Sequence, residues 1–172
     1  LTRAGEEFVT PLTVSALAGS KVYRDLFDLG DEAEMGHIQL SRVADLVVVA
    51  PATADLMAKM AGGLANDLAS TLLLATDTPV MIVPAMNVRM WDHAATQRNL
   101  ATLRGDGILV TGPNKGDMAC GEYGDGRMAE PGDRALHCKP LQWGTGNGAG
   151  PRARAAGGAG CVCHRPCGRA AA

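Results

Sequence analysis

The residues of this sequence that could do chemistry are few and lie far apart along the chain. Cys120 opens the run Cys120-Gly121-Glu122-Tyr123-Gly124-Asp125-Gly126-Arg127-Met128. An isolated cysteine is most often a small buried residue. Beside so much glycine, burial is less expected than reactivity, and a flexible glycine-rich loop can close over a substrate. Asn87 follows Pro84-Ala85-Met86. Its side chain offers both a donor and an acceptor and suits a carboxylate or an amide; its plainer role is to cap a short helix toward Trp91. Met90 and Trp91 read as packing residues. In Pro51-Ala52-Thr53-Ala54-Asp55, Thr53 and Asp55 precede a helix. They either cap it or, with its free amides, face a bound anion or polar ring. His37 follows Gly36 and is an acid–base candidate, although a lone histidine is more often structural or solvated.

These groups need a scaffold, and the hydrophobic pattern supplies one. Asp45–Ala50 (DLVVVA) and Pro79–Val83 are short, continuously apolar runs, as expected of parallel strands covered on both faces. Pro51 and Pro84 are expected to stop them. Gly107–Val110 reads as a third strand. Helices are expected over Leu56–Gly62, over Asn66–Thr76 with Asn66 or Asp67 as cap, and over His93–Arg104. Upstream, residues 3–18 have helical spacing interrupted by Pro11, Lys21–Leu26 reads as extended, residues 28–36 as a loop and His37–Val43 as a short helix. Strand–helix alternation at this spacing implies right-handed βαβ units, hence an α/β fold with a parallel sheet. In such a sheet ligands bind beyond the carboxyl ends of the strands. The loops at Pro51–Asp55, Pro84–Trp91 and Gly112–Pro131 leave those ends and carry Thr53, Asn87 and Cys120.

Composition divides the chain of 172 residues. All 18 Asp and Glu lie at or before Asp133 with 10 of the 16 Lys and Arg, so residues 1–133 carry −8 and the remainder +6. Aromatics are only 3%, so the core must be aliphatic. Residues 133–172 are rich in Gly, Ala, Arg and Pro and lack an apolar period, a composition that does not order itself. Out-of-frame translation of GC-rich coding DNA is one hypothesis for this tail. Comparing the three reading frames tests it; no family pattern in any other frame would reject it. Four of the five cysteines, Cys138, Cys161, Cys163 and Cys167, lie there. With His164 they are too compressed for a common zinc site, so no metal is expected. There is no dinucleotide fingerprint or Walker lysine, no apolar stretch long enough to span a bilayer and no signal-peptide pattern in the first residues. The cytoplasm is the expected location, with no nucleic-acid partner.

Taken together, Gly36-His37-Ile38, Ala50 to Asp55, Pro84-Ala85-Met86-Asn87 with Met90-Trp91, and Ala119-Cys120-Gly121 through Gly126-Arg127-Met128 carry a resemblance. Over residues 1–131 the chain resembles the homo-oligomeric flavin-containing cysteine decarboxylases, most of all the phosphopantothenoylcysteine decarboxylase type of coenzyme A biosynthesis. The resemblance implies a three-layer, Rossmann-like or flavodoxin-like α/β fold. It implies FMN as cofactor, which oxidises the substrate thiol so that the carbanion left by decarboxylation is stabilised, and then returns the hydride. It assigns His37 as active-site base and Cys120 as proton donor on a substrate clamp. Asn87, Met86 and Arg127 become substrate-binding residues, Asn87 holding the carboxylate. Thr2, Thr53, Ala54, Asp55, Leu56 and Ala85 become FMN contacts. It further implies a homo-oligomer, trimer-based, and a ligase domain in the full-length protein.

Two departures from the family pattern bear on these expectations. The chain starts after the family's first strand and its Gly-rich phosphate turn, so residues 1–132 are expected to form a truncated flavoprotein domain that binds FMN weakly or not at all and assembles poorly. Nothing after Pro131 resembles the ligase continuation. The competing readings are a peptidyl-cysteine decarboxylase, a more remote flavin prenyltransferase, a non-catalytic binding or regulatory relative, and an inactive fragment. Retention of His37, Asn87 and Cys120 speaks against a non-catalytic relative, and the Pro84–Asn87 motif against a prenyltransferase.

Overall fold

The computed structural model describes residues 1–25 and 44–131. Two of the apolar runs make the centre of its sheet. Strands β1 (Val47–Ala52) and β2 (Val80–Pro84) lie parallel, with Val47 opposite Val80, Val48 opposite Met81 and Val49 opposite Ile82. Strand β3 (Leu109–Val110) pairs in parallel on the other side of β2, giving the order β1-β2-β3. Every residue of β2 is buried, as a strand flanked by two others and covered by helices must be. β1 is more open, buried only at Val47 and Ala52.

Neither proline ends its strand where expected. β1 runs through Pro51, whose preceding peptide is cis, to Ala52. The pairing shifts between Val49 and Ala52, so the ladder makes room for a residue without an N–H. Pro84 is the last residue of β2 rather than the first beyond it. β3 is shorter than Gly107–Val110, and residues 21–25 take no regular element.

The helices begin where side chains can satisfy their free amides. α1 (Arg3–Glu6) and α2 (Pro11–Ala18) are separate because Thr10 caps α2, accepting from the Thr13 amide at 3.1 Å. Pro11 takes the first helical position, where its missing N–H is harmless. α3 (Ala54–Gly62) starts two residues earlier than the expected Leu56, because the Thr53 hydroxyl accepts from the Leu56 amide at 3.2 Å. It ends on Gly63 at φ +65°, a conformation that costs glycine least. α4 (Leu68–Ala75) opens on a capping box between Asp67 and Ser70. α5 (Val88–Asp92) and α6 (Ala94–Gly105) follow β2, with His93 capping α6.

The core joins these layers. Met57 of α3, Leu72 of α4 and Leu100 and Leu103 of α6 pack with Val47, Val80 and Ile82 of the sheet. Met57 and Ile82 are wholly inaccessible, and burying one such side chain is worth about 2 kcal/mol. The result is the expected α/β class, a parallel sheet flanked by helices.

The largest correction concerns Gly112–Pro131, expected as a loop. It contains an antiparallel hairpin of β4 (Asn114–Asp117) and β5 (Tyr123–Arg127), a second sheet of its own. Its sequence hides it, since glycine and aspartate disfavour strands. The segment expected as the helix His37–Val43, with the loop before it and the tail after Pro131, lies outside the described residues.

Candidate functional site

The carboxyl ends of β1 and β2 are joined by backbone, the Ala85 amide donating to the Ala52 carbonyl at 3.1 Å. This sets the Thr53 turn beside the loop that carries Asn87. On the Thr53 side the surface is built from small residues and helix ends. Ala52 is fully buried, Thr53 is exposed, and Ala54 and Ala85 are half-buried. The first amides of α3, those of Ala54 and Asp55, have no acceptor within their own helix. Asp55 points outward, its side chain 74% exposed, and pairs with Lys59 at 3.1 Å. Leu56 is half-buried. Thr2 caps α1, accepting from the Gly5 amide at 3.1 Å.

The Asn87 side is built from side chains. Asn87 caps α5, its Oδ1 accepting from the Arg89 amide at 2.8 Å. The capping role and the chemical role raised for Asn87 are therefore compatible, because capping uses the oxygen and leaves Nδ2 free to donate. Nδ2 donates to Cys120 Sγ at 3.4 Å and to Glu122 Oε2. Arg89 Nε donates to Glu122 Oε1 at 3.1 Å, and the Cys120 thiol lies 3.7 Å from Glu122 Oε2 as a donor. The Asn87 amide and then the Arg89 guanidinium hold the Glu122 carboxyl below its ordinary value.

The hairpin brings Cys120 there. A tight turn, with the Gly121 amide on the Met118 carbonyl and the Met118 amide on the Glu122 carbonyl, each at 2.9 Å, leaves Cys120 exposed at the tip. β5 is fastened to the loop after β2 by the Met86 amide on the Gly126 carbonyl at 3.0 Å. The approach is so close that a Cβ on Gly124 would fall 2.6 Å from Val88 Cγ2, and one on Gly126 would collide with the Met86 carbonyl. The glycines of this segment thus provide closeness to a neighbouring loop.

Asn87 and Cys120, from separate loops, are therefore in contact. Met86 packs its side chain on the core, as Trp91 does, whereas Met90 is half exposed and is not a packing residue. Arg127 pairs with Glu130. His37 lies outside the described residues. Two members of the cluster, Glu122 and Arg89, were not singled out from sequence. The available signal was a complementary pair of charges on two loops that leave the same edge of the fold. Among the described residues no group of three or more His, Cys, Asp or Glu could hold a metal ion, and no helix is long and apolar enough to cross a membrane. The compressed Cys and His residues of the tail are outside that description.

A parallel sheet with a small-residue surface at its strand ends and an Asn–Cys contact beside it is the frame of a flavin-binding protein, and the family pattern agrees. The Flavoprotein family matches residues 1–134, and the chain belongs to that family. It is 53% identical over 139 residues to the coenzyme A biosynthesis bifunctional protein CoaBC of Vibrio cholerae, a match covering 81% of this chain and 35% of that protein. The chain thus spans about a third of the length of the curated relatives it matches. Among solved structures it is similar to a PPC decarboxylase mutant complexed with pantothenoylaminoethenethiol, with TM-score 0.65 and 34% identity over 76% of this chain and 74% of that one. It is also similar to the FMN binding protein AtHal3, with TM-score 0.64 and 36% identity over 76% of this chain and 72% of that one.

Proposed function

We propose that this chain is the decarboxylating unit of a coenzyme A biosynthesis protein, converting 4′-phosphopantothenoylcysteine to 4′-phosphopantetheine with FMN. The observation that carries the reading is the contact between Asn87 and Cys120 at 3.4 Å, made by loops that leave neighbouring parallel strands. It joins a group suited to a carboxylate to a group that carries a transferable proton, which is the pair a cysteine decarboxylase needs.

The residues at the strand ends fit a flavin ring. Ala52, Thr53, Ala54 and Ala85 present no bulk, and the Thr53 hydroxyl with the Ala54 and Asp55 amides offers polar contacts to a ring edge. The Asp55 carboxylate makes this turn unsuitable for the phosphate, so the ring end of FMN belongs here. Leu56 supplies an apolar contact, and Thr2 is a further contact in this reading. FMN, when bound, supplies the oxidation of the substrate thiol and the return of the reducing equivalents.

The chain's own residues orient and protonate. Asn87 Nδ2 holds the substrate carboxylate, and Met86 and Arg127 line the substrate's path. Cys120 donates a proton to the unsaturated thiol left after carbon dioxide departs, and His37 takes the proton lost during thiol oxidation. A homo-oligomer, trimer-based, belongs to the same reading. Phe8, between the first two helices, and Leu12 and Leu17 of α2 are 88%, 80% and 85% exposed and provide apolar surface for assembly. A cytoplasmic location, a ligase domain in the full-length protein and a division of this chain into a flavoprotein part over 1–132 and a separate tail also belong to this reading.

The test is to titrate the purified chain with FMN, add 4′-phosphopantothenoylcysteine and follow carbon dioxide and phosphopantetheine. Release of both supports the reading. A yellow protein that leaves this substrate untouched but decarboxylates a peptide ending in cysteine would replace it.

A further inference from the structure

We infer that Asn87 and Arg89 form a fork for a ligand carboxylate, and that Glu122 fills this fork until a ligand displaces it. The inference rests on the decarboxylase reading for the identity of the ligand, but its geometry is that of the chain itself. Asn87 has one acceptor atom and one donor nitrogen with two hydrogens. Oδ1 is engaged by the Arg89 amide at 2.8 Å, and Nδ2 is directed at both Glu122 Oε2 and Cys120 Sγ. The amide therefore has no spare donor for an incoming carboxylate. Glu122 holds one oxygen on Asn87 and the other on Arg89 Nε at 3.1 Å, the two-oxygen grip by which proteins recognise a carboxylate.

Two carboxylates cannot share one such fork, because like charges at that range repel. The occupant is free to leave, since the Arg89 side chain is 87% exposed and that of Glu122 33%. Its departure also removes the acceptor that the Cys120 thiol has in Glu122. Seating a ligand carboxylate and releasing the Cys120 proton from Glu122 are thus one event. Arg89 becomes a second carboxylate-binding residue beside Asn87, and Glu122 becomes the residue that sets how strongly a carboxylate must compete.

The experiment uses the full chain loaded with FMN and two unreactive probes, 4′-phosphopantothenoylserine and its decarboxylated counterpart, which differ only in the carboxylate. Equilibrium dissociation constants are measured by calorimetry for the wild type, Glu122→Gln, Glu122→Ala and Glu122→Ala with Arg89→Gln. Both Glu122 variants should bind the carboxylate probe about fivefold more tightly, the scale of one exposed charge pair, with the decarboxylated probe unchanged. Adding Arg89→Gln to Glu122→Ala should weaken the carboxylate probe alone. If the Glu122 variants bind the carboxylate probe no better than wild type, or weaken both probes alike, Glu122 merely shapes the hairpin and the inference is overturned. If wild type binds neither probe, the decarboxylase reading fails and takes this inference with it.

Discussion

The two sides of the site are built in opposite ways. At the ends of β1 and α3 the surface is made by backbone, small residues and a helix cap, and the apolar core underneath holds it in place. On the hairpin side the chemistry is carried by the Asn87, Arg89, Cys120 and Glu122 side chains, joined by hydrogen bonds at the surface. A backbone-built surface is as rigid as the strands below it and suits a resident group. A side-chain cluster at a hairpin tip can rearrange when a substrate arrives and leaves. In the proposed reading, the small residues are where the cofactor rests, and the polar cluster of Asn87, Arg89, Cys120 and Glu122 is where the substrate is handled.

The sharpest way to break this comparison is Cys120→Ser. Product formation should fall by about 10²- to 10⁴-fold, the usual contribution of a positioned acid, while FMN is still reduced by substrate and an unsaturated thiol accumulates. Mass spectrometry of the products reads it; normal turnover would remove Cys120 from the chemistry. Ile82→Ala attacks the shared foundation instead. Emptying a site with no exposed surface should cost about 2–5 kcal/mol in denaturant unfolding and lower flavin affinity and turnover together.

Gly126→Ala separates the two sides. The new methyl group would meet the Met86 carbonyl and lie 2.6 Å from Met118 Cε, so the hairpin must shift at a cost of about 1–3 kcal/mol. Turnover should drop while the flavin spectrum and affinity are kept. Equal loss of both would mean that the hairpin also holds the cofactor. The smallest effect is expected at Asp67, outside the Asn87–Cys120 cluster. Asp67→Ala removes the cap of α4 and a 3.1 Å bond to Lys59, and should cost about 1 kcal/mol with no change in kcat. Burial works to raise the Asp67 carboxyl, but the Ser70 amide and Lys59 outweigh it and leave it below the ordinary 3.8. Its contribution is therefore present above about pH 4 and fades as pH falls through the lowered value. Acid unfolding of wild type and variant should converge below that range.

The parallel sheet was legible because its signal is local. Val47–Ala50 and Val80–Val83 are apolar without interruption and rich in β-branched valine and isoleucine, and Thr53 and Asp67 stand where helix caps must stand. The prolines misled because a strand can pass through Pro51 once its pairing shifts, and pairing belongs to two strands rather than one. Of the candidate site, the contact between Asn87 and Cys120 was legible only as a likeness to a family pattern, since no local rule relates residues 33 apart in sequence.

What the sequence determined by itself was the α/β class, the presence of helices between the strands and the residue types available at the strand ends, because apolar period and capping act over a few neighbouring residues. Only the tertiary structure decided that Tyr123–Arg127 is a strand, that its glycines serve close approach to Met86 and Val88, and that Glu122 and Arg89 meet at Asn87. Those outcomes depend on contacts between segments that the chain's own order keeps apart, and a carboxylate gains a partner only where folding brings the donors to it.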